Sequence, residues 1–71
     1  MASVRVGAIG LGRIFEDIHL PQITACPDMD LAAVADVTAE RRDRWRDELS
    51  VPIHDDMQAI LEDPEIDLVC V

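Results

Sequence analysis

The chain has no lysine and no tyrosine, and Phe15 and Trp45 are its two aromatic rings apart from the histidines. All six basic side chains are arginine, set against fifteen aspartates and glutamates, for a formal net charge of −9. So acidic a surface repels polyanions, which excludes a protein that tracks nucleic-acid phosphates or rests on an anionic membrane. Arg41, Arg42, Arg44 and Arg46 do cluster, but Asp43, Asp47 and Glu48 are interleaved with them, the pattern of a solvated, salt-bridged helix face. Two cysteines, Cys26 and Cys70, stand far apart without metal-ligand spacing and read as reduced thiols. No apolar run approaches the roughly 18 residues of a membrane span, and no basic stretch followed by an apolar block opens the chain. A soluble, cytoplasmic protein is the expectation. A core made from 71 residues buries only about 60 % of the unfolded chain's surface, so stability should be marginal.

Glycine is scarce as well, yet Gly10 and Gly12 fall together where an apolar run changes character. Val4 to Ile9 is β-branched or small with one charge, as suits a strand buried on both faces, and helical spacing follows the glycines. Gly10 can take the backbone angles of a tight turn. Gly12, lacking Cβ, lets an anion approach the free N–H groups and partial positive charge at the helix start. The dinucleotide fingerprint Gly-x-Gly-x-x-Gly is incomplete, because Phe15 stands at the third place, where a ring should push the helix off the sheet or pack at its edge. Without its context the motif is equally a turn that binds nothing.

Ile14, Ile18 and Ile23 share a helical face, predicting a first helix from about Arg13 to Ala25, interrupted or restarted at Pro21. Met29 to Asp36 predicts a second buried strand with a carboxylate at its tip. Asp36 lies 36 − 10 = 26 residues beyond Gly10, against roughly 20 for an acid that meets a ribose 2′-OH in this architecture. Thr38 is placed to cap a second helix running to about Leu49, with Trp45 as its anchor and Glu40 to Arg44 as a helpful i,i+4 pair. Ser50 to His54 reads as a connector with at most a bridging strand residue. Asp55 or Asp56 then caps a short helix from Met57 to Glu62, and Ile66 to Val71 reads as a third strand. His19 and His54 have no nucleophile placed to work with either.

The sum is an α/β chain, half of a Rossmann fold, with three parallel strands in order 3-2-1 and crossover helices, forming one partial dinucleotide-binding domain over residues 1–71. Truncation at that point should leave the Val4 to Ile9 edge unpaired, with the last strand as the other apolar edge, so self-association through exposed strand edges is expected.

Val6-Gly7-Ala8-Ile9-Gly10-Leu11-Gly12-Arg13-Ile14, His19-Leu20-Pro21, Ala33-Val34-Ala35-Asp36, Val51-Pro52 before Asp55-Asp56, and Asp63-Pro64-Glu65-Ile66-Asp67-Leu68-Val69 follow one another in an order and spacing that resembles a known family. It is that of the N-terminal dinucleotide domain of the glucose-fructose oxidoreductase, inositol dehydrogenase and rhizopine-catabolism (Gfo/Idh/MocA) oxidoreductases, and the likeness covers nearly the whole chain. The resemblance implies hydride transfer with NAD(H) or NADP(H) on a sugar, cyclitol or related substrate. It implies that Gly10, Leu11, Gly12, Arg13 and Ile14 line the pyrophosphate and that Asp36 meets the adenosine ribose. A carboxylate there repels a 2′-phosphate, so NAD(H) is favoured, while Arg41 or Arg42 within reach keeps NADP(H) possible. The family's catalytic lysine lies in a Glu-Lys-Pro segment that this lysine-free chain does not contain, so hydride chemistry by this chain alone is not expected. Two other readings fit the residues: a non-catalytic, self-associating fragment, and an adenosyl-methionine-binding half-domain, which also uses a glycine turn and an acid after its second strand.

Overall fold

Continuous apolar runs and glycine punctuation decide the frame seen in the computed structural model, which describes residues 3–71; Met1 and Ala2 lie outside the described residues. Strands β1 (Val4–Ile9), β2 (Met29–Ala35), β3 (Ile53–His54) and β4 (Leu68–Cys70) are all parallel and lie in the order β3-β2-β1-β4. β1 pairs with β2 from Val4 opposite Met29 to Ile9 opposite Ala35, with one register shift after Val6. Helical backbone covers residues 13–25: a π-helical segment, Phe15–His19, runs directly into α1 (Leu20–Ala25). Two further helices are α2 (Ala39–Arg46) and α3 (Gln58–Leu61).

The sheet is covered on both sides. Ala8, Leu11, Phe15, Val34 and Trp45 form the core under α1 and α2, and Ala33, Ala35 and Ile60 form the smaller core under α3. Gly7 makes the second packing possible. A Cβ on it would stand 2.6 Å from Cγ2 of Ile60, closer than real side chains pack, and 3.0 Å from Cδ1 of Ile66, tighter than most contacts.

The α/β class and the 3-2-1 order hold, with two corrections. The third strand of that order is Ile53–His54, expected as a connector, which joins because Val34 and Asp36 donate their N–H groups to the carbonyls of Pro52 and His54 at 3.0 Å each. The segment Ile66 to Val71 instead supplies a fourth strand on the far side of β1, where Val6, Gly7 and Ala8 pair with Leu68, Val69 and Cys70. Because α3 crosses on the face opposite α1 and α2, a right-handed connection carries the chain to the other side of β1. The Val4 to Ile9 edge is therefore paired. The outer edges of the sheet are those of β3 and β4.

Phe15 neither displaces the helix nor sits at its edge. Its ring is buried in the core, edge-on to Trp45 with centroids 5.2 Å apart. The π-helical turn accommodates it: Leu20 donates to the carbonyl of Phe15 five residues back, and the widened turn ends just before Pro21, which has no N–H to continue the ladder. Two local expectations also change. Thr38 makes no side-chain cap on α2. Arg44 pairs with Glu16 at 2.6 Å and Glu48 at 3.7 Å, not with Glu40, and its guanidinium lies over the Trp45 ring at 4.2 Å, tying α2 to the π-helical segment.

Candidate functional site

β1 has β2 on one side and β4 on the other, so the sheet changes direction at the carboxyl end of β1, and that end is the glycine turn. In open α/β sheets the crevice at such a switch point is where ligands bind. Gly10 sits at φ +94°, a left-handed conformation that favours glycine, and its N–H donates to the carbonyl of Ala35 at 2.8 Å, which draws the turn toward the tip of β2.

Asp36 at that tip is 6 % exposed and belongs to the turn as much as to its own strand. One carboxylate oxygen accepts from the backbone N–H of Leu11 at 2.7 Å and the other from that of Thr38 at 2.7 Å. The Arg41 guanidinium lies 3.6 Å away, and Arg42 donates to the backbone carbonyl of Asp36 at 2.8 Å. Burial pushes the Asp36 carboxyl up. The two backbone donors, the Thr38 hydroxyl and Arg41 favour the anion more strongly, so its pKa lies below the usual aspartate value. Thr38 thus serves the carboxylate in place of a helix cap. Arg42 is committed to the loop backbone, which leaves Arg41 as the nearby cation able to move. From the other direction, Trp45 Nε1 donates to the carbonyl of Leu11 at 3.3 Å and holds the turn down onto the core.

Two cavities meet at Ile9 and Gly10. The larger, about 340 Å³, lies on the β2 side and is lined by Ile9, Gly10, Ala35, Asp36, Val37, Thr38, Arg41, Asp56 and Met57. The smaller, about 190 Å³, lies on the other side, against Gly12, Arg13, Ile14, Phe15, His19 and Val71. The expected site residues Gly10, Gly12, Arg13, Ile14 and Asp36 all border one or other cavity. Leu11 is buried in the core and presents its backbone N–H to Asp36. A Cβ on Gly10 would meet nothing within 4 Å, and one on Gly12 would touch only the Arg41 guanidinium at 3.5 Å. Neither absence of a side chain is needed for packing within the chain, so both leave room for a guest.

The sequence reading missed Val37, Met57 and His19 as cavity walls and saw Asp56 only as a cap. The legible signal for the first two was an apolar residue directly after a strand-end acid or an acid pair, in a loop otherwise polar. His19 carries a buried Nε2 without a hydrogen-bond partner among the described residues. No group of three or more potential metal ligands occurs among them either, and no described helix is long and apolar enough to cross a membrane.

The family model for the Gfo/Idh/MocA oxidoreductases, described as an oxidoreductase family with an NAD-binding Rossmann fold, matches residues 4–71. The chain belongs to the Gfo/Idh/MocA family. That membership displaces the adenosyl-methionine reading. Among curated members, the uncharacterized oxidoreductase YrbE of Bacillus subtilis is 35 % identical over 70 residues, covering 97 % of this chain and 20 % of the relative. Myo-inositol 2-dehydrogenase of Thermotoga maritima is 36 % identical over 69 residues, covering 96 % and 20 %. Among solved structures, KijD10, a 3-ketoreductase from Actinomadura kijaniata in complex with NADP and TDP-benzene, superposes with a TM-score of 0.81 at 28 % identity, covering 94 % of this chain and 21 % of that one. Apo scyllo-inositol dehydrogenase from Lactobacillus casei gives 0.79 at 28 %, covering 96 % and 20 %. The chain spans about a fifth of the length of these Gfo/Idh/MocA relatives.

Proposed function

We propose that this chain is the nucleotide-binding portion of an NAD(P)-dependent Gfo/Idh/MocA oxidoreductase acting on a sugar, cyclitol or related substrate, and that it holds the dinucleotide without the groups that carry hydride chemistry. The observation that carries the reading is the 2.7 Å hydrogen bond from the Leu11 N–H to the Asp36 carboxylate, which makes the glycine turn and the acid two walls of one crevice. In this reading Gly10, Gly12, Arg13 and Ile14 line the pyrophosphate, and Leu11 ties their turn to Asp36 through its N–H. Asp36 takes the adenosine ribose hydroxyls on the acceptor sites that its two backbone donors leave free. The bound dinucleotide supplies or accepts the hydride; these residues only bind and orient it.

NAD(H) is favoured because an Asp36 kept anionic repels a 2′-phosphate. NADP(H) stays possible through Arg41, whose exposed guanidinium needs only to leave Asp36, and the relative KijD10 was solved with NADP. The absence of lysine from the 71 residues supports a non-catalytic portion, and the free thiols of Cys26 and Cys70 accord with a cytoplasmic location. Calorimetry with NAD, ADP and AMP at millimolar concentration tests the binding. Measurable heats are expected; no binding of any of the three overturns the assignment.

A second reading, self-association, has its own support in the outer edges of β3 and β4, which have no strand partner among the described residues, and the exposure of Leu68 and Val71 beside the latter. Sedimentation at high micromolar concentration should then show dimers or larger species, and a clean monomer removes it.

A further inference from the structure

We infer that Arg41 is a strap that closes the crevice in the free chain, its guanidinium lying over Gly12 and against Asp36, and that it must swing out before a nucleoside can reach the Asp36 carboxylate. This rests on the nucleotide reading above. Arg41 lies in the first turn of α2, where a cation meets the positive end of the helix dipole and gains nothing from the helix itself. What holds it there is Asp36. Its Nη1 stands 3.6 Å from Oδ2, the same oxygen that takes the Leu11 N–H. At the other wall, a Cβ on Gly12 would be 3.5 Å from Cζ, 3.5 Å from Nη1 and 3.7 Å from Nη2. Three nearly equal distances mean that the flat guanidinium lies broadside to the turn. It therefore spans both walls, since Arg41 borders the larger cavity and Gly12 the smaller.

In this state the carboxylate is fully used. The Leu11 and Thr38 N–H groups take one position on each oxygen, Arg41 covers Oδ2, and the Thr38 hydroxyl is a further donor. A carboxylate has roughly four acceptor positions in all, so a ribose diol finds Asp36 already occupied. One of these donors has to leave. The two backbone groups are fixed by the fold, and Thr38 is tied to the same carboxylate through its own N–H. Arg41 is the one that can go, with the longest contact and a side chain that is 54 % exposed. An ion pair with so exposed a partner is weak, so the strap opens at little cost. A ligand nonetheless binds only the open fraction, and its apparent affinity is lowered by that fraction.

The test titrates adenosine and NAD into the wild-type chain and Arg41→Ala, followed by NMR. The variant keeps both backbone donors on Asp36. Adenosine carries no phosphate, so its affinity reports on the strap and not on attraction between the guanidinium and an anion. Arg41→Ala should bind adenosine about two- to fivefold more tightly than the wild type. Salt gives a second readout. Between about 0.02 and about 0.5 M sodium chloride the wild type's affinity for adenosine should rise, because screening weakens the Arg41 to Asp36 pair, while the variant's stays level. An Arg41 that merely decorates the surface would move neither measurement. Adenosine affinity unchanged or lowered in the variant overturns the strap and leaves the nucleotide reading standing through NAD; failure of both ligands to bind either chain overturns both.

Discussion

On the β2 side of Gly10 the crevice wall is fixed by hydrogen bonds that the chain makes to itself: both Asp36 oxygens accept backbone N–H groups, Arg42 holds its carbonyl, and β3 holds its N–H. On the β4 side the cavity is bordered by exposed Ile14, by Val71, by Arg13, which pairs outward with Asp17 at 3.3 Å, and by a histidine whose buried nitrogen has no partner among the described residues. One half of the crevice is preorganised and the other is merely enclosed. Preorganised groups bind without the cost of being ordered first. The affinity of this chain for a dinucleotide should therefore come from its adenosine end.

The largest effect expected from breaking that asymmetry is on stability. Asp36→Ala removes a buried acceptor and leaves the Leu11 and Thr38 N–H groups without partners, at a cost of about 2 to 5 kcal/mol. In a domain of this size that is a large part of the whole. Urea unfolding followed by Trp45 fluorescence would read it, since the indole is buried and bonded to the same turn. A loss under about 0.5 kcal/mol would mean that the carboxylate is not what holds the turn.

A smaller effect follows from protonating the same group. The folded-state pKa of Asp36 lies below its unfolded value, so its contribution is complete above the ordinary aspartate range and is lost as pH falls through the depressed folded value. The stability difference between wild type and Asp36→Asn should thus be constant from pH 7 to about pH 5 and shrink below about pH 4. A difference that instead grows on acidification would reverse the sign and show that burial, not hydrogen bonding, governs the group.

How much of this was legible follows the same division. The strand, the glycine turn and Asp36 were readable because a buried strand, a left-handed glycine and a strand-end acid each leave a local mark. Ile53–His54 was not, because a two-residue strand has no period and exists only through the carbonyls of Pro52 and His54 meeting β2. The place of β4 was not, because it depends on which face α3 crosses, and α3 has just four residues. Gly7 looks like any small residue in a buried strand, and only Ile60 lying on top of it shows that no side chain fits. Phe15 misled for a related reason: the fingerprint assumes a regular helix start, and a π-helical turn makes room for a ring there.

Gly12 gives the smallest effect on the protein and the sharpest test of the crevice. Unlike Gly10 it does not need a left-handed backbone, and a Cβ on it would stand 3.5 Å from Arg41, an ordinary contact with a flexible group. Gly12→Ala should therefore stabilise the fold by about 0.4 to 1 kcal/mol, by restricting the unfolded chain. If a pyrophosphate lies against that backbone, the same methyl group obstructs it, and the affinity for NAD should fall even as the melting temperature rises. Opposite signs in the two measurements would locate the ligand at Gly12. A variant that is more stable and binds NAD unchanged would show that the open space above the turn is not where the phosphates sit.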